Sequence, residues 1–555
     1  METVWYDQYP SGVEKEIDLG RYNSALEVFN KAVEKFHNKP CFSNFGVTIT
    51  YGELDRMSTY FAGFLQNKLG LKKGDRIAIQ MPNLLQFPIA MFGALKAGLI
   101  VVNTNPLYTA REMEHQFKDS GAKAIVILAN SAHHLESIVK NTDIEHVIIT
   151  EIGDLLGFPK KYIINAVIKY VKKMVPSYSI PGAYSFNDAL EIGKGQNFTA
   201  VDCNLDDTCF FQYTGGTTGV SKGAVLTHRN VVANMLQIFA WMEPRLKPGE
   251  EIVITPLPLY HIFSLTVNCL AMMAYGGHNI LITNPRDIPA FLKEMQKWDF
   301  TILTGLNTLF NAMMNHPDFK NVSFKNCKFS VAGGMALQDA VALRWEDLTG
   351  TKILQGYGLT ETSPVVSCNP IDGSDKLGTI GLPLPSTQVK LLTEEGTEGK
   401  FGEVGELLVK GPQVMKGYWN MDEETKKVIT DDGWLKTGDI ATIDEKGWVK
   451  IVDRKKDMIL VSGFNVYPNE VEDVMIKHPA VVEVAAVGQA DDASGEVVKI
   501  FVVKKGDVTE QELIGFAREN LTAYKVPKFV EFKDELPKTN VGKILRRALR
   551  DGANA

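Results

Sequence analysis

Tyr213-Thr-Gly-Gly-Thr-Thr-Gly-Val-Ser-Lys-Gly223 packs four glycines, three threonines and one lysine into eleven residues. Gly215, Gly216 and Gly219 leave backbone N–H groups open to a ligand and tolerate φ > 0. Thr214, Thr217 and Thr218 add hydroxyl donors, and Lys222 adds positive charge. Such a loop suits a polyphosphate, which offers many acceptor oxygens and much negative charge. It is not a Walker A loop, which needs Gly-x-x-x-x-Gly-Lys-Ser/Thr; here Lys222 follows Ser221 and precedes Gly223. The flanks differ too. Residues 207–213 read as a strand and 224–227 as another, with a helix only near Asn230. The order is strand–loop–strand. A ligand-free Gly/Thr hairpin is the plain alternative, and a match of this length with Lys222 in place disfavours it.

On both sides of that loop strands alternate with helices. Before it come strand 74–80, apolar helix 85–97, strand 98–102, helix 111–119 and strand 124–128. After it come strand 251–255, helix 265–275, strand 279–282, strand 301–304 and helix 306–314. Strand 328–332 then ends in Gly333-Gly334, and strand 352–355 ends in Gly356-Tyr-Gly-Leu-Thr-Glu361. This alternation implies parallel sheet layered by helices, with ligands at the strand C-termini. Beyond Gly378 the texture changes to short strands and Gly/Pro turns, a β-rich module over 378–452. Asp453-Arg-Lys-Lys-Asp457 is a charged run, expected to be exposed, at a boundary. A small α+β unit follows over 458–555, with helices at 468–477 and 509–520.

A chain of 555 residues is too long for one compact domain. Its 45% apolar and 23% charged content are those of a globular protein, and a net charge of −7 argues against nucleic acid as main partner. Cys41, Cys203, Cys209, Cys269, Cys327 and Cys368 form no CxxC pair, which points to a reducing compartment and buried thiols. The first residues lack a basic region and an apolar core, so no signal peptide is expected. The apolar run 84–102 is interrupted by Pro88 and Lys96, and a buried helix and strand fit it better than a membrane span.

Residues 160–175 are different. Ile163, Ile164, Val167, Val171, Met174 and Val175 share one helical face. Lys160, Lys161, Lys169, Lys172 and Lys173 lie outside it, with no acidic residue. A helix lying in a membrane interface has this pattern. A core-packed helix with a solvated lysine face fits it equally well.

Several residues carry candidate chemistry. Glu361, with Thr214 and Thr360, offers oxygens to Mg²⁺, which is held through one or two carboxylates plus substrate phosphates; a helix-capping glutamate is the alternative. Asp439, after a tight turn, can accept from both ribose hydroxyls or simply form the turn. Gly333 and Gly334 let adenine approach the backbone and Tyr357 offers a stacking face, with Gln355, Gly356 and Gly358 on the same segment. His261 is an aromatic gate rather than a base, since a carboxylate substrate is already ionised.

The 213–223 stretch resembles the phosphate loop of the adenylate-forming superfamily: acyl-CoA synthetases, luciferases and peptide-synthetase adenylation domains. Gly356-Tyr-Gly-Leu-Thr-Glu-Thr362 resembles its metal-binding segment, Gly433-Trp-Leu-Lys-Thr-Gly-Asp439 its ribose-binding segment and Pro537-Lys-Thr-Asn-Val-Gly-Lys543 its catalytic-lysine motif. Asp453-Arg-Lys-Lys-Asp-Met-Ile-Leu-Val-Ser-Gly-Phe-Asn-Val-Tyr-Pro-Asn-Glu470 resembles the signature of fatty-acyl-CoA synthetases. The N-terminus, the basic helix and the Lys543-Ile-Leu-Arg-Arg547 tail are similar to bacterial long-chain fatty-acid–CoA ligases. Gly216, where many members carry serine, and Ser221, where proline is usual, depart from the pattern without removing a backbone donor.

The resemblance implies an α/β fold: a large N-terminal domain over 1–452, with two layered sheets plus the β-rich module, a hinge at 453–457 and a small mobile cap at 458–555. It implies that ATP and a long-chain fatty acid give an acyl-adenylate and pyrophosphate, and that coenzyme A then displaces AMP. Tyr213, Thr214, Gly215, Gly216, Thr217, Thr218, Gly219 and Lys222 would hold phosphates, and Glu361 with Thr214 the Mg²⁺. Asp439 and Arg454 would hold the ribose. Lys543 would neutralise the α-phosphate. Lys456 would be the pivot that exchanges Lys543 for Ser462, Gly463 and Phe464 at the acyl and coenzyme A site. The expected place is the cytoplasm, peripheral at the inner face of an anionic membrane, and a homodimer stays open. Competing readings are a ligase for medium-chain, short or aryl acids, a non-catalytic acyl or nucleotide sensor, and a membrane-peripheral scaffold.

Overall fold

The computed structural model describes residues 3–214, 221–491, 494–539 and 542–553. Gly215, Gly216, Thr217, Thr218 and Gly219, expected in the phosphate loop, lie outside the described residues. Their flanks are two antiparallel strands, Thr208–Thr214 and Lys222–Thr227, in a register that pairs Thr214 with Lys222. Cys209, Phe210 and Phe211 are buried in succession, as expected of a strand covered on both faces. The two flanking strands therefore hold.

Thr208–Thr214 is an inner strand of an eight-stranded sheet. Beyond it Ile100–Asn103, Arg76–Gln80, Ala124–Leu128, His146–Thr150 and Tyr184–Ser185 run parallel. On its other side Lys222–Thr227 pairs with Gly417–Tyr418. A second sheet has nine strands. Its parallel core is Ile353–Gly358, Phe329–Ala332, Ile302–Gly305, Ile252–Thr255, His278–Leu281 and Pro40–Asn44. The β-rich texture resolves into a four-stranded antiparallel sheet, from Gln388–Leu392 to Val449–Arg454. These elements give the two layered sheets plus β-module that the sequence implies.

The helix Gln86–Lys96 is buried along its whole length. Gly93 lets it meet the helix Tyr51–Gly63, since a Cβ there would stand 2.9 Å from the Ser58 carbonyl oxygen. Lys96 is tolerated inside because its ammonium donates to Asp55 Oδ1 at 2.6 Å and Thr59 Oγ1 at 2.6 Å. This confirms a core helix. Among the described residues no helix is long and apolar enough to cross a membrane.

Lys160–Ala166 continues as a π-turn, Val167–Val171, and neither buries a single residue. Core packing is thereby ruled out for this stretch. Phe158 is 88% exposed, Tyr170 70% and Val171 74%. Asn165 anchors the helix by accepting from Gly153 N at 2.7 Å and donating to Glu151 Oε2 at 2.9 Å.

The C-terminal sheet joins Val481–Asp491, Gly495–Lys504, Ile459–Val461 and Phe464–Val466, with Phe529–Phe532 added parallel to Gly495–Lys504. Helices Pro468–Met475 and Glu510–Asn520 contribute Val471, Met475 and Leu513 to its own hydrophobic core.

Candidate active site

The strand C-termini of the two large sheets open onto one cleft of about 1890 Å³. Thr214, Lys222, Gly333, Gly334, Gln355, Gly356, Tyr357, Gly358, Thr360, Glu361, Asp439, Arg454, Lys456 and Lys543 all line it. Residues from 214 to 543 thus meet, as the motifs require.

Gly333 and Gly334 end the strand Phe329–Ala332. Gly334 has φ +80°, and Lys543 packs against it, with Cε 3.5 Å from where a Cβ would stand. Gly356-Tyr-Gly358 is the end of the strand Ile353–Gly358 and not a turn, pairing antiparallel with Val365–Cys368; a Cβ on Gly358 would lie 2.0 Å from the Pro364 carbonyl oxygen, so only glycine fits.

Lys543 is carried in a short turn. Its N–H donates to Thr539 Oγ1 at 3.1 Å, and its carbonyl accepts from Thr539 N at 2.6 Å. The turn docks on the helix Asn307–Met314, where Thr308 Oγ1 donates to the Gly542 carbonyl at 3.3 Å. Burial, then the charge of Arg454, pushes the Lys543 ammonium down to about 8, while Asp439 and Glu361 oppose the shift. The same burial, with Lys543 nearby, holds His261 at about 3. His261 is therefore neutral, and its Nδ1 accepts from Phe263 N at 3.4 Å as a helix cap. That geometry suits packing and not base catalysis.

Asp439 and Arg454 face each other across the strands Leu435–Ile443 and Val449–Arg454, with Arg454 Nε 3.3 Å from Asp439 Oδ1. The other oxygen accepts from the Tyr357 hydroxyl at 2.6 Å. Burial and the Asp439 charge push the Tyr357 phenol well above its usual range, so it stays a donor. Tyr357 is thus tied to Asp439 as well as facing the cleft. Tyr213 instead donates to Asp119 Oδ2 at 2.5 Å, which fixes the strand end.

Glu361 accepts from the Tyr418 hydroxyl at 2.7 Å. Lys222 lies 5.2 Å from the Tyr418 ring centroid and is ion-paired with Glu424. Glu361 and the Thr214 hydroxyl supply hard oxygen donors on one wall. Among the described residues no group of three or more His, Cys, Asp and Glu could form a metal cage. This donor set fits an ion shared with substrate phosphates.

Ser462, Gly463 and Phe464 do not line the cleft. They form the turn between Ile459–Val461 and Phe464–Val466, where Phe464 stacks on Tyr524 at 4.9 Å between ring centroids. The charged run also differs from expectation. Arg454, Lys455 and Lys456 are exposed, but Asp453 is 0% exposed. Asp453 accepts from Asn469 N at 2.8 Å and lies 3.9 Å from Arg546. Arg546 in turn donates to Glu472 at 2.7 Å and Asn469 Oδ1 at 2.7 Å. Charge repulsion alone predicts exposure; this guanidinium overrides it by pairing across the fold.

Sequence reading missed Arg546, Tyr418 and Glu424, and it missed the apolar wall. Ile238, Trp241 and Met242 of the helix His228–Met242 face that side of the cleft, with Val331 and Leu384. The helix is buried almost throughout, so no amphipathic stripe marked its cleft-facing side.

The pattern of the AMP-binding enzyme family matches residues 29–419, and that of the AMP-binding enzyme C-terminal domain matches 470–543. The chain is 55% identical over 554 residues to the long-chain-fatty-acid–CoA ligase of Escherichia coli O6:H1 (strain CFT073), covering 100% of this chain and 99% of the relative. It also resembles the anthranilate CoA ligase AuaEII solved with anthranoyl-AMP, with TM-score 0.85 and 25% identity over 96% of this chain and 98% of the other. Against ATP-bound MatB from Rhodopseudomonas palustris the TM-score is 0.82 at 29% identity, over 95% and 99% of the two chains. The cleft, its motifs and these full-length likenesses place the chain in the AMP-binding enzyme family, the adenylate-forming superfamily of its sequence motifs.

Proposed function

We propose that this chain is a long-chain-fatty-acid–CoA ligase. The fatty carboxylate attacks the α-phosphorus of ATP, giving acyl-adenylate and pyrophosphate; the coenzyme A thiol then attacks the acyl carbonyl and AMP leaves. The observation that carries this reading is the meeting of Lys543 with the Gly333–Gly334 floor in a cleft whose other wall is apolar. The 55% identity to a long-chain ligase supports the acyl class.

The residues act by position and charge. Lys543 neutralises the α-phosphate and the approaching carboxylate. Thr214, Lys222 and the loop between them hold the outer phosphates. Asp439 and Arg454 take the ribose, with Tyr357 keeping Asp439 in orientation, and Gln355, Gly356 and Gly358 line the nucleotide side. Glu361 and Thr214 would hold Mg²⁺, which would supply positive charge to the phosphate oxygens. His261 stays neutral and packs near the acyl entrance.

Residues 1–452 form the body, 453–457 the hinge and 458–555 the cap. Pivoting near Lys456 withdraws Lys543 and brings Ser462, Gly463 and Phe464 to the cleft for coenzyme A. The exposed aromatic and basic helix Lys160–Val171 rests on anionic lipid at the inner face of the cytoplasmic membrane, where its substrates partition; its product then serves β-oxidation. A homodimer is compatible with this arrangement.

Pyrophosphate release from ATP, measured over acids of rising chain length, tests the reading. Release should peak with long-chain acids. A peak at acetate or benzoate would reassign the substrate, and no release with any acid would reduce the chain to a sensor.

A further inference from the structure

Lys222 has a counter-ion of its own. Its ammonium is ion-paired with Glu424 of the short helix Asp422–Val428, and the two side chains are 20% and 33% exposed. Glu424 also pairs with Lys427. Lys222 and Tyr418 line the cleft, whereas Glu424 does not, so the carboxylate reaches Lys222 from behind the wall. These two lysines hold the Glu424 carboxyl down to about 2, so it is ionised at any working pH.

The segment bearing Glu424 is fastened to the root of the phosphate loop. Gly417 and Tyr418 pair with Val225 and Ala224. Trp419 N donates to the Gly223 carbonyl at 2.8 Å, and its indole donates to the Asp119 carbonyl at 3.0 Å. Tyr418 N donates to Thr425 Oγ1 at 2.9 Å. Glu424 is therefore held in place beside Lys222.

We propose that Glu424 is a positioning residue that limits how tightly Lys222 holds phosphate, sharing its charge with the bound triphosphate and reclaiming it as pyrophosphate leaves. The inference rests on the phosphate role given to Lys222 above. An ammonium has three donors and a single positive charge. A carboxylate in contact cancels much of the charge that phosphate oxygens would feel. Both ATP and pyrophosphate are then bound less tightly than by a free lysine, and the product is released more readily.

Glu424→Gln keeps the side-chain shape and removes the charge. The KM for ATP and the inhibition constant of pyrophosphate in adenylation should both fall, by roughly twofold to fivefold, the reach of a partly exposed ion pair. Lys427→Ala releases Glu424 from its competing partner, and both constants should rise. In a Lys222→Met background the Glu424→Gln effect should vanish, which a merely structural role would not produce. Unchanged or weakened pyrophosphate binding in Glu424→Gln overturns the inference. If Lys222→Met alone leaves both constants unchanged, the phosphate role of Lys222 fails first and Glu424 falls with it. If Lys222→Met weakens binding while Glu424→Gln does not tighten it, only the Glu424 inference fails.

Discussion

Lys543 stands beside Arg454 and Lys456, and that crowding adds to burial in lowering its pKa to about 8. Its proton decides what it can do. Below that pH it is an ammonium that can neutralise an α-phosphate; above it, an amine that cannot. The kcat/KM for ATP in adenylation should therefore fall along a single-group limb as pH rises through about 8. Lys543→Arg keeps its charge throughout this range. Its limb should disappear, even though a planar guanidinium fits the site less well and lowers the plateau. A limb unchanged in Lys543→Arg would assign the titration to another group. The same residue shows how position outweighs chemistry at this scale. Lys538 carries an identical ammonium five positions earlier, and there it pairs with Glu483 at 2.6 Å.

At the scale of elements, the helix Lys160–Val171 keeps Ile163, Val167 and Val171 of its apolar face exposed among the described residues. Its lysines complement an anionic surface, each worth about 1 kcal/mol near such a membrane. Changing Lys169, Lys172 and Lys173 to Glu should sharply reduce sedimentation with anionic vesicles while leaving adenylation of dissolved fatty acid intact. Equal sedimentation of variant and parent would reject the contact. The helix also shows what a sequence can carry. Periodicity revealed its two faces as far as Val171, where the helix ends; Lys172, Lys173, Met174 and Val175, expected on the same helix, lie beyond it. Strand 207–213 and helix 85–97 were legible because mainly apolar runs have few ways to be buried. Gly334 was legible as a turn, and Gly358 as a position that needs glycine, because glycine is required where backbone comes close. The knot of Arg546 with Asp453, Asn469 and Glu472 was not legible. Its members are distant in the chain, and an ion pair between them has no period. The apolar wall of the cleft was hidden for a related reason: a helix buried on nearly all sides, such as His228–Met242, does not mark the side that faces a cavity.

For the whole molecule, the central fact is that Lys543, whose neighbour Ile544 packs against Ala485, Val487 and Phe501 of the C-terminal sheet, and the Ser462–Phe464 stretch at that sheet's edge are placed differently. Lys543 is in the cleft, against Gly334 and docked on Thr308. Ser462, Gly463 and Phe464 are outside it. On the proposed scheme a rigid cap could not present both at once, so half-reactions that used them in turn would require it to pivot. The exposed Arg454–Lys456 stretch is where backbone can turn without breaking a core. The Arg546 knot lies on the cap side of that stretch, joining Asp457 and Glu472, and its contact with Asp453 is the longer at 3.9 Å. A pivot near Lys456 would also have to break the hydrogen bond that Asp453 accepts from Asn469 N at 2.8 Å. Lys543→Ala separates the steps. It should abolish adenylate formation from ATP and fatty acid while sparing thioester formation from supplied acyl-adenylate and coenzyme A, because Lys543 has left the cleft by then. Equal loss of both half-reactions would mean that Lys543 stays in the cleft throughout, and the pivot would have to be abandoned.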